Sequence, residues 1–214
     1  MAVSEPTLEV EHELFAAGVP SVIGMDEVGR GAIAGPVAVG AAVVAPACGP
    51  FPEGLRDSKL LSERARTRLE PLAREWVMYG AVGLASPAEV DELGITACLG
   101  LAGRRALLEL HAVGADVTGS TVLLDGNSDW LSRALQRPLT ITTRVKADRD
   151  CASVAAASVL AKVHRDRLMI ELHEALPEYG WEGNKGYGSA QHLSALSQHG
   201  LTLHHRSSWL PAYT

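Results

Sequence analysis

Apolar and polar positions fall in blocks along this chain, and the period and length of each block predict its element. "SVIGMDEV", from Ser21, and "PVAVGAAVVA", from Pro36, are near-continuous apolar runs of strand length, joined by a turn set by Gly29, Gly31 and Gly35. "WVMYGAVGLA" is a third such run, and "STVLLDG" and the β-branched "LTITTRV" are a fourth and a fifth. Between them the pattern is helical. Leu8 to Ala17 is a short amphipathic helix. "DSKLLSERARTRLEPL" holds a helix with Ser62 as N-cap and an exposed pair, Arg66 and Glu70, four residues apart. "SPAEVDEL" starts with Ser86 as N-cap and Pro87 at the first helical position. Ile95 to Ala115 repeats leucine and alanine at helical spacing, and residues 151–176 form an alanine-rich helix, small on one side and basic on another. After Pro177 come a glycine-rich stretch, a short helix near Ala190 to Gln198 and an irregular tail. Three strands in succession, then strands alternating with helices, predict an α/β fold with helices packed on a mixed sheet.

Composition narrows this picture. A chain of 214 residues with 47% hydrophobic and 21% charged residues supports one domain with a full core. The net charge of −6 excludes a protein that coats nucleic acid indiscriminately, yet leaves room for a local basic patch. Cys48, Cys98 and Cys151 contain no Cys-x-x-Cys pair, which points to reduced thiols and a cytoplasmic setting. The start is acidic and unlike a signal peptide, and the apolar stretch Pro36 to Ala47 is too short to span a bilayer. No membrane association is expected.

Candidate chemistry sits where apolar runs end. Asp26, Asp125 and Asp148 each close or follow such a run, and Glu27 stands beside Asp26. Any one of them alone would pass for a turn-forming acid. Together, without Cys or His partners, they suit a hard cation with oxygen ligands such as Mg²⁺ or Mn²⁺, and not zinc. Adjacent acids on a strand point to opposite faces, so Asp26 and Glu27 require a cationic neighbour. Gly29-Arg30-Gly31 adds a backbone that a ligand can approach closely and a guanidinium fork suited to phosphate. Lys59, Arg144, Lys146, Lys162, Arg165 and Lys185 recur beside the acidic loops, with Lys162 and Arg165 on one helix face, as expected for an anionic backbone lying near the cation. Tyr187, between glycines, is placed to meet a sugar. His204 and His205 have no second histidine at metal spacing and read as surface or tail contacts.

In order and spacing, "GMDEVGRGAIAGP", "DSKLLSERAR", "LLDGN", "VKAD", "SVAAASVLAKVHRD" and "NKGYGSAQH" resemble the bacterial ribonuclease HII family from about Val22 to Trp209. The resemblance implies a ribonuclease H-like fold: a mixed five-stranded sheet flanked by helices, with a catalytic core over 1–176 and a C-terminal helical, substrate-binding segment over 177–214 of the same globule. It implies a metal-dependent endonuclease, using Mn²⁺ or Mg²⁺, that acts as a monomer on RNA–DNA hybrids and on duplex DNA containing single ribonucleotides. Carried over by position, Asp26, Glu27, Asp125 and Asp148 are the metal-binding catalytic acids, with Glu27 supplied from a distorted backbone. Gly29, Arg30 and Gly31 read the 2′-hydroxyl, and Tyr187 packs on its sugar. Lys59, Lys146, Lys162, Arg165 and Lys185 complete the expected substrate contacts. The chain departs from the family's usual pattern at Leu60, Ala147, Asn184, Ser189 and Ser207.

Overall fold

The structure, a computed structural model, describes residues 5–213. Helix α1 (Glu9–Ala16) precedes the strands β1 (Val22–Val28) and β2 (Val37–Val44), which are followed by α2 (Glu63–Trp76) and β3 (Tyr79–Ala85). The chain continues through α3 (Pro87–Leu93), α4 (Ile95–Ala112), β4 (Thr121–Asp125), β5 (Thr140–Arg144), the single turn α5 (Ala147–Asp150) and α6 (Ala152–Ala175). Two short helices, α7 (Trp181–Asn184) and α8 (Ala190–His199), lead into the C-terminal tail. The caps are set by local chemistry: Ser62 Oγ accepts from Ala65 N–H, while Ser86 and Glu89 form a reciprocal capping box.

The five strands form one sheet in the order β3-β2-β1-β4-β5. The first three strands, β1, β2 and β3, pair antiparallel, whereas β4 pairs parallel to β1 and β5 parallel to β4. This is the mixed, helix-flanked sheet that the apolar pattern predicts. One face buries Ile23, Met25, Val37 and Val39 against Leu99, Ala102 and Ala106 of α4. The other buries Ala42 and Val44 against Ala155, Ala156, Val159 and Leu160 of α6, with Leu69, Ala73 and Trp76 of α2 packed alongside. The glycines of β1 and β2 that face α6 have a steric reason. A Cβ at Gly24 would lie 2.3 Å from the Ser153 carbonyl carbon, and one at Gly40 would lie 2.2 Å from the Ala157 carbonyl oxygen. Helix and sheet therefore touch backbone to backbone, which brings the first turns of α6 beside the acidic end of β1. A third cluster, with Met169, Tyr179, Trp181, Leu196 and Leu210, joins the C-terminal segment to the far end of α6.

One pair departs from the sequence reading. Arg66 does not pair with Glu70; it donates to the Ser58 and Leu61 carbonyls and meets Asp166 at 3.6 Å. Glu70 is buried and shared between Arg74 and Arg167.

The N-terminus of α6 is held by Glu11. This fully buried carboxylate accepts from Ser153 N (2.9 Å) and Ser153 Oγ (2.7 Å), satisfying an unpaired first-turn donor at the positive end of the helix dipole. Glu11→Ala should leave both donors buried and unpaired, a loss of about 2 kcal/mol, or roughly 4–8 °C of melting temperature for a chain of this size. A melt within a degree of the parent protein's would refute this anchor.

Candidate active site

The acids lie at one end of the sheet. Asp26 is the fifth residue of β1, and Asp125 ends β4, the adjacent parallel strand, in which Leu124 pairs with Met25. Asp148 sits in the single turn before α6, where its N–H donates to Asp125 Oδ1 at 3.3 Å. Glu27 follows Asp26 along a strand that pairs without interruption with β2, Asp26 opposite Gly40 and Glu27 opposite Val39. The distorted backbone expected around Glu27 is therefore absent. A regular pleat carries Asp26 inward, 2% exposed, and leaves Glu27 half-buried. Glu27 N–H donates to Asp26 Oδ1 at 2.9 Å.

Burial raises the pKa of Asp26, Glu27 and Asp148. Asp26 is pushed well above the usual carboxylate range, first by desolvation and then by Glu27 and Asp125, with Lys59 opposing. Glu27 is raised by burial against the pull of Arg30 and Lys59. Asp148 is pushed up to about 6 by burial, with Asp125 and Asp57 adding to it. Lys59 answers in the opposite sense: burial works to discharge it, yet Asp26, Asp148 and Asp57 together raise its pKa. Its Nζ lies 3.4 Å from Asp148 Oδ2. Among the described residues, no three Asp, Glu, His or Cys side chains converge closely enough to hold a metal ion as they stand. The donor chemistry nonetheless suits a hard divalent cation. It consists of carboxylates alone, and the most buried of them, Asp26, is held well above the usual range by burial and by its acidic neighbours.

Next to the acids lies a cleft of about 290 Å³ lined by Glu27, Val28, Gly29, Arg30, Gly31, Ser58, Lys59, Lys162 and Tyr187. A wider cleft of about 690 Å³, between the Pro50–Gly54 loop and α2, contains none of the candidate acids. Chemistry rather than volume selects the smaller one. Arg30 is largely exposed and pairs with Glu27 at 3.7 Å, and Tyr187 is 39% exposed. Gly31 needs no glycine on the protein's account, since a Cβ there would meet open space. Gly29 does: its φ is +80°, and a Cβ would sit 2.2 Å from Arg165 Nε.

The predicted basic set divides. Lys59 and Lys162 reach the cleft, although the Lys162 ammonium is held by Asp166 at 2.7 Å and burial lowers its pKa. Lys146 is exposed at the residue before α5 and has left-handed backbone. Arg144 pairs with Asp150. Lys185 is buried, bonded to the Glu182 carbonyl and 3.5 Å from Glu63. Arg165 is not a surface contact at all. It is fully buried and donates to three main-chain carbonyls: Pro36 (2.8 Å), Ala34 (2.9 Å) and Lys185 (2.8 Å). The helix face that carries it looks basic in sequence but is covered by the Gly29–Pro36 and Lys185–Tyr187 loops.

His205 is likewise no tail contact. It is buried, with Nε2 3.0 Å from His192 Nε2. Thr202 N–H donates to His205 Nδ1, so the His205 proton sits on Nε2 and points at His192. His192 Nε2 also accepts from Trp181 Nε1, leaving His192 Nδ1–H to donate to the Tyr187 carbonyl. Burial pushes His205 down to about 4 and lowers His192 as well. The pair is neutral at pH 7 and fixes the backbone of Tyr187. Arg206, like His192, is a residue the sequence reading did not single out. It is fully buried and bonds the carbonyls of Gly29, Arg30 and Gly35. The residues around it offer no local signal, because its partners lie more than 170 residues away.

This arrangement has counterparts among known proteins. The family model for ribonuclease HII matches residues 23–212. The chain belongs to the ribonuclease HII family. A ribonuclease HII from Streptomyces griseus is 48% identical over 213 residues, covering 98% of this chain and 86% of that protein. One from Thermus thermophilus is 46% identical over 191 residues, 89% of this chain and 86% of that protein. Among solved structures, ribonuclease H2 from Pyrococcus horikoshii superposes with a TM-score of 0.69 at 25% identity, over 90% of this chain and 95% of that one. The ribonuclease HII of Archaeoglobus fulgidus, solved in complex with PCNA, gives 0.68 at 25% identity, over 88% and 94%. The enzyme is thus a type 2 ribonuclease H, an endonuclease with ribonuclease H activity on RNA–DNA hybrids, from a family that depends on divalent metal. Among the described residues, no helix is long and apolar enough to cross a membrane.

Proposed function

We propose that this ribonuclease HII cleaves on the 5′ side of single ribonucleotides embedded in duplex DNA, as well as within hybrids, leaving 3′-hydroxyl and 5′-phosphate ends. The observation that carries this reading is a cleft that gathers Gly29, Arg30, Gly31 and Tyr187 with Glu27 and with Lys59, whose ammonium lies 3.4 Å from Asp148. Asp26, Glu27, Asp125 and Asp148 would hold a pair of divalent cations, Mn²⁺ or Mg²⁺. When bound, such cations acidify a water nucleophile and neutralise charge on the leaving oxygen. The chain's own residues orient and select. Arg30 and Lys59 take phosphate oxygens, the Arg30–Gly31 backbone meets the 2′-hydroxyl, and Tyr187 covers the sugar. A hydroxyl that completes a buried polar site discriminates strongly, because the deoxy sugar leaves those groups unpaired. The enzyme acts as a monomer, and its free thiols Cys48, Cys98 and Cys151 accord with a cytoplasmic setting.

The test is one gel with three duplexes, all-DNA, full hybrid, and DNA with a single ribonucleotide, run in magnesium and in manganese. Cutting at the DNA–ribonucleotide junction and none of the all-DNA duplex is the expected result. A protein that cuts hybrids but ignores the lone ribonucleotide refutes the proposal. Binding should also weaken steeply with salt, by roughly 0.9 in the log–log slope for each phosphate neutralised. Arg30→Ala should flatten that slope by about one contact, and an unchanged slope would remove Arg30 from the phosphate track.

A further inference from the structure

Two guanidinium groups lie beneath the Gly29–Pro36 loop, both fully buried. Among the described residues, neither has an acidic oxygen within ion-pair distance. Their partners are main-chain carbonyls. Arg206 Nη2 donates to Gly29 O at 2.7 Å and to Gly35 O at 3.2 Å, and its Nη1 donates to Arg30 O at 2.9 Å. Its Nε has no hydrogen-bond partner. Burying a charge without an acid is costly, and here the loop's own carbonyls are what offset it. The arginine takes consecutive carbonyls, and this fixes the direction of the groups behind them. Every peptide bond among the described residues is trans. In a planar trans peptide the N–H points opposite to the C=O. With the Gly29 and Arg30 carbonyls drawn inward, the N–H groups of Arg30 and Gly31 must point outward. Neither donates to any protein group among the described residues. Gly31, above them, is exposed and leaves open space.

We infer that Arg206 is a positioning residue for ribonucleotide recognition: by holding the Gly29 and Arg30 carbonyls it presents the Arg30 and Gly31 N–H groups as paired donors to the substrate sugar. The inference rests on the proposed sugar-reading role of this cleft. Arg165 is the second clamp of the same unit. It fills the space under Gly29, bonds Ala34 O and Pro36 O on one loop and Lys185 O on the other, and lies 5.7 Å from the Tyr187 ring. The loop that offers the donors and the loop that carries the tyrosine are therefore registered against one buried cationic pair. Donors fixed in advance lose no freedom when the hydroxyl arrives, and the nearby positive charge polarises the same peptide groups.

Arg206→Lys and Arg206→Gln test this. A lysine keeps a charge but is a point donor that cannot hold two carbonyls in a fork; a glutamine keeps one donor group and no charge. For each folded variant two quantities are measured: kcat on DNA containing one ribonucleotide, and the inhibition constant of the all-DNA duplex of the same sequence. Both variants should lose about tenfold or more in kcat, while the all-DNA duplex, which has no 2′-hydroxyl to read, inhibits within about twofold of its parent value. A merely structural defect would move both quantities together, and that result overturns the inference. So does parental kcat in both variants, or failure of both to fold. Gly31→Ala is run beside them. If it too keeps parental kcat, the sugar-reading site itself has failed along with the inference. If it loses activity while both Arg206 variants keep theirs, the inference alone has failed.

Discussion

Asp26→Asn should remove cleavage by roughly three orders of magnitude, about 4 kcal/mol of barrier, while raising the melting temperature of the metal-free protein at pH 7. The two effects share one cause. Asp26 is 2% exposed, and burial pushes its pKa well above the usual range. The folded state therefore binds its proton more tightly than the unfolded chain does, so this carboxylate costs stability once the pH passes the ordinary carboxylate range and charge is forced upon it. Asparagine imitates the protonated form and avoids that cost. Asp148 behaves the same way over a window that its pKa of about 6 defines. The distance from an unperturbed carboxylate to that value is worth roughly 3 kcal/mol at neutral pH. The metal-free protein should lose stability as pH rises from about 4 to about 6, and the gain from Asp26→Asn should vanish near the bottom of that range. Manganese should raise the melting temperature of the parent protein at pH 7 and do much less for the variant. Normal cleavage by Asp26→Asn would remove Asp26 from the cation site, and a variant less stable than its parent at pH 7 would refute the burial cost.

Gly31→Ala and Tyr187→Ala should both lose cleavage at a single embedded ribonucleotide by about a hundredfold or more, with little change in folding. The two differ in how the protein receives them. Alanine at Gly31 meets open space in the free enzyme, and the backbone there has no positive φ. Any loss of activity must then come from what approaches that face. Tyr187 is 39% exposed, so truncating it uncovers little core, and its backbone stays bonded to His192 and Asn184. Gly29→Ala is the contrast. It forces a side chain into left-handed backbone and against Arg165, and should cost stability as well as activity. Thermal melts beside single-ribonucleotide assays separate the three. If Tyr187→Ala cuts the lone ribonucleotide as well as the parent does, the sugar contact is wrong. If Gly31→Ala does, the close backbone approach is wrong.

The sequence by itself determined what depends on neighbours along the chain. Strand and helix periods placed all five strands and the long helices. Ser62 and Ser86 were legible as caps because a cap is a contact between residues three apart. Asp26, Asp125 and Asp148 stood out because an acid closing an apolar run is visible in one dimension, and parallel pairing of β1 with β4 then set two of them side by side. Only the tertiary structure decided what becomes of the cations. Arg165 and Lys162 lie three apart on α6, yet two loops cover Arg165 completely, while Lys162 opens on the cleft and is held by Asp166. Arg66 faces Glu70 at helical spacing and bonds Asp166 instead, a residue 100 positions later in the chain. Arg206 meets Gly29 across 177 residues, and His192 meets His205 only once the tail has folded back over α7 and α8. Periodicity records which face of an element is apolar. It carries no record of which distant carbonyls will be left without donors when loops close over that element, and a buried arginine goes where those carbonyls are.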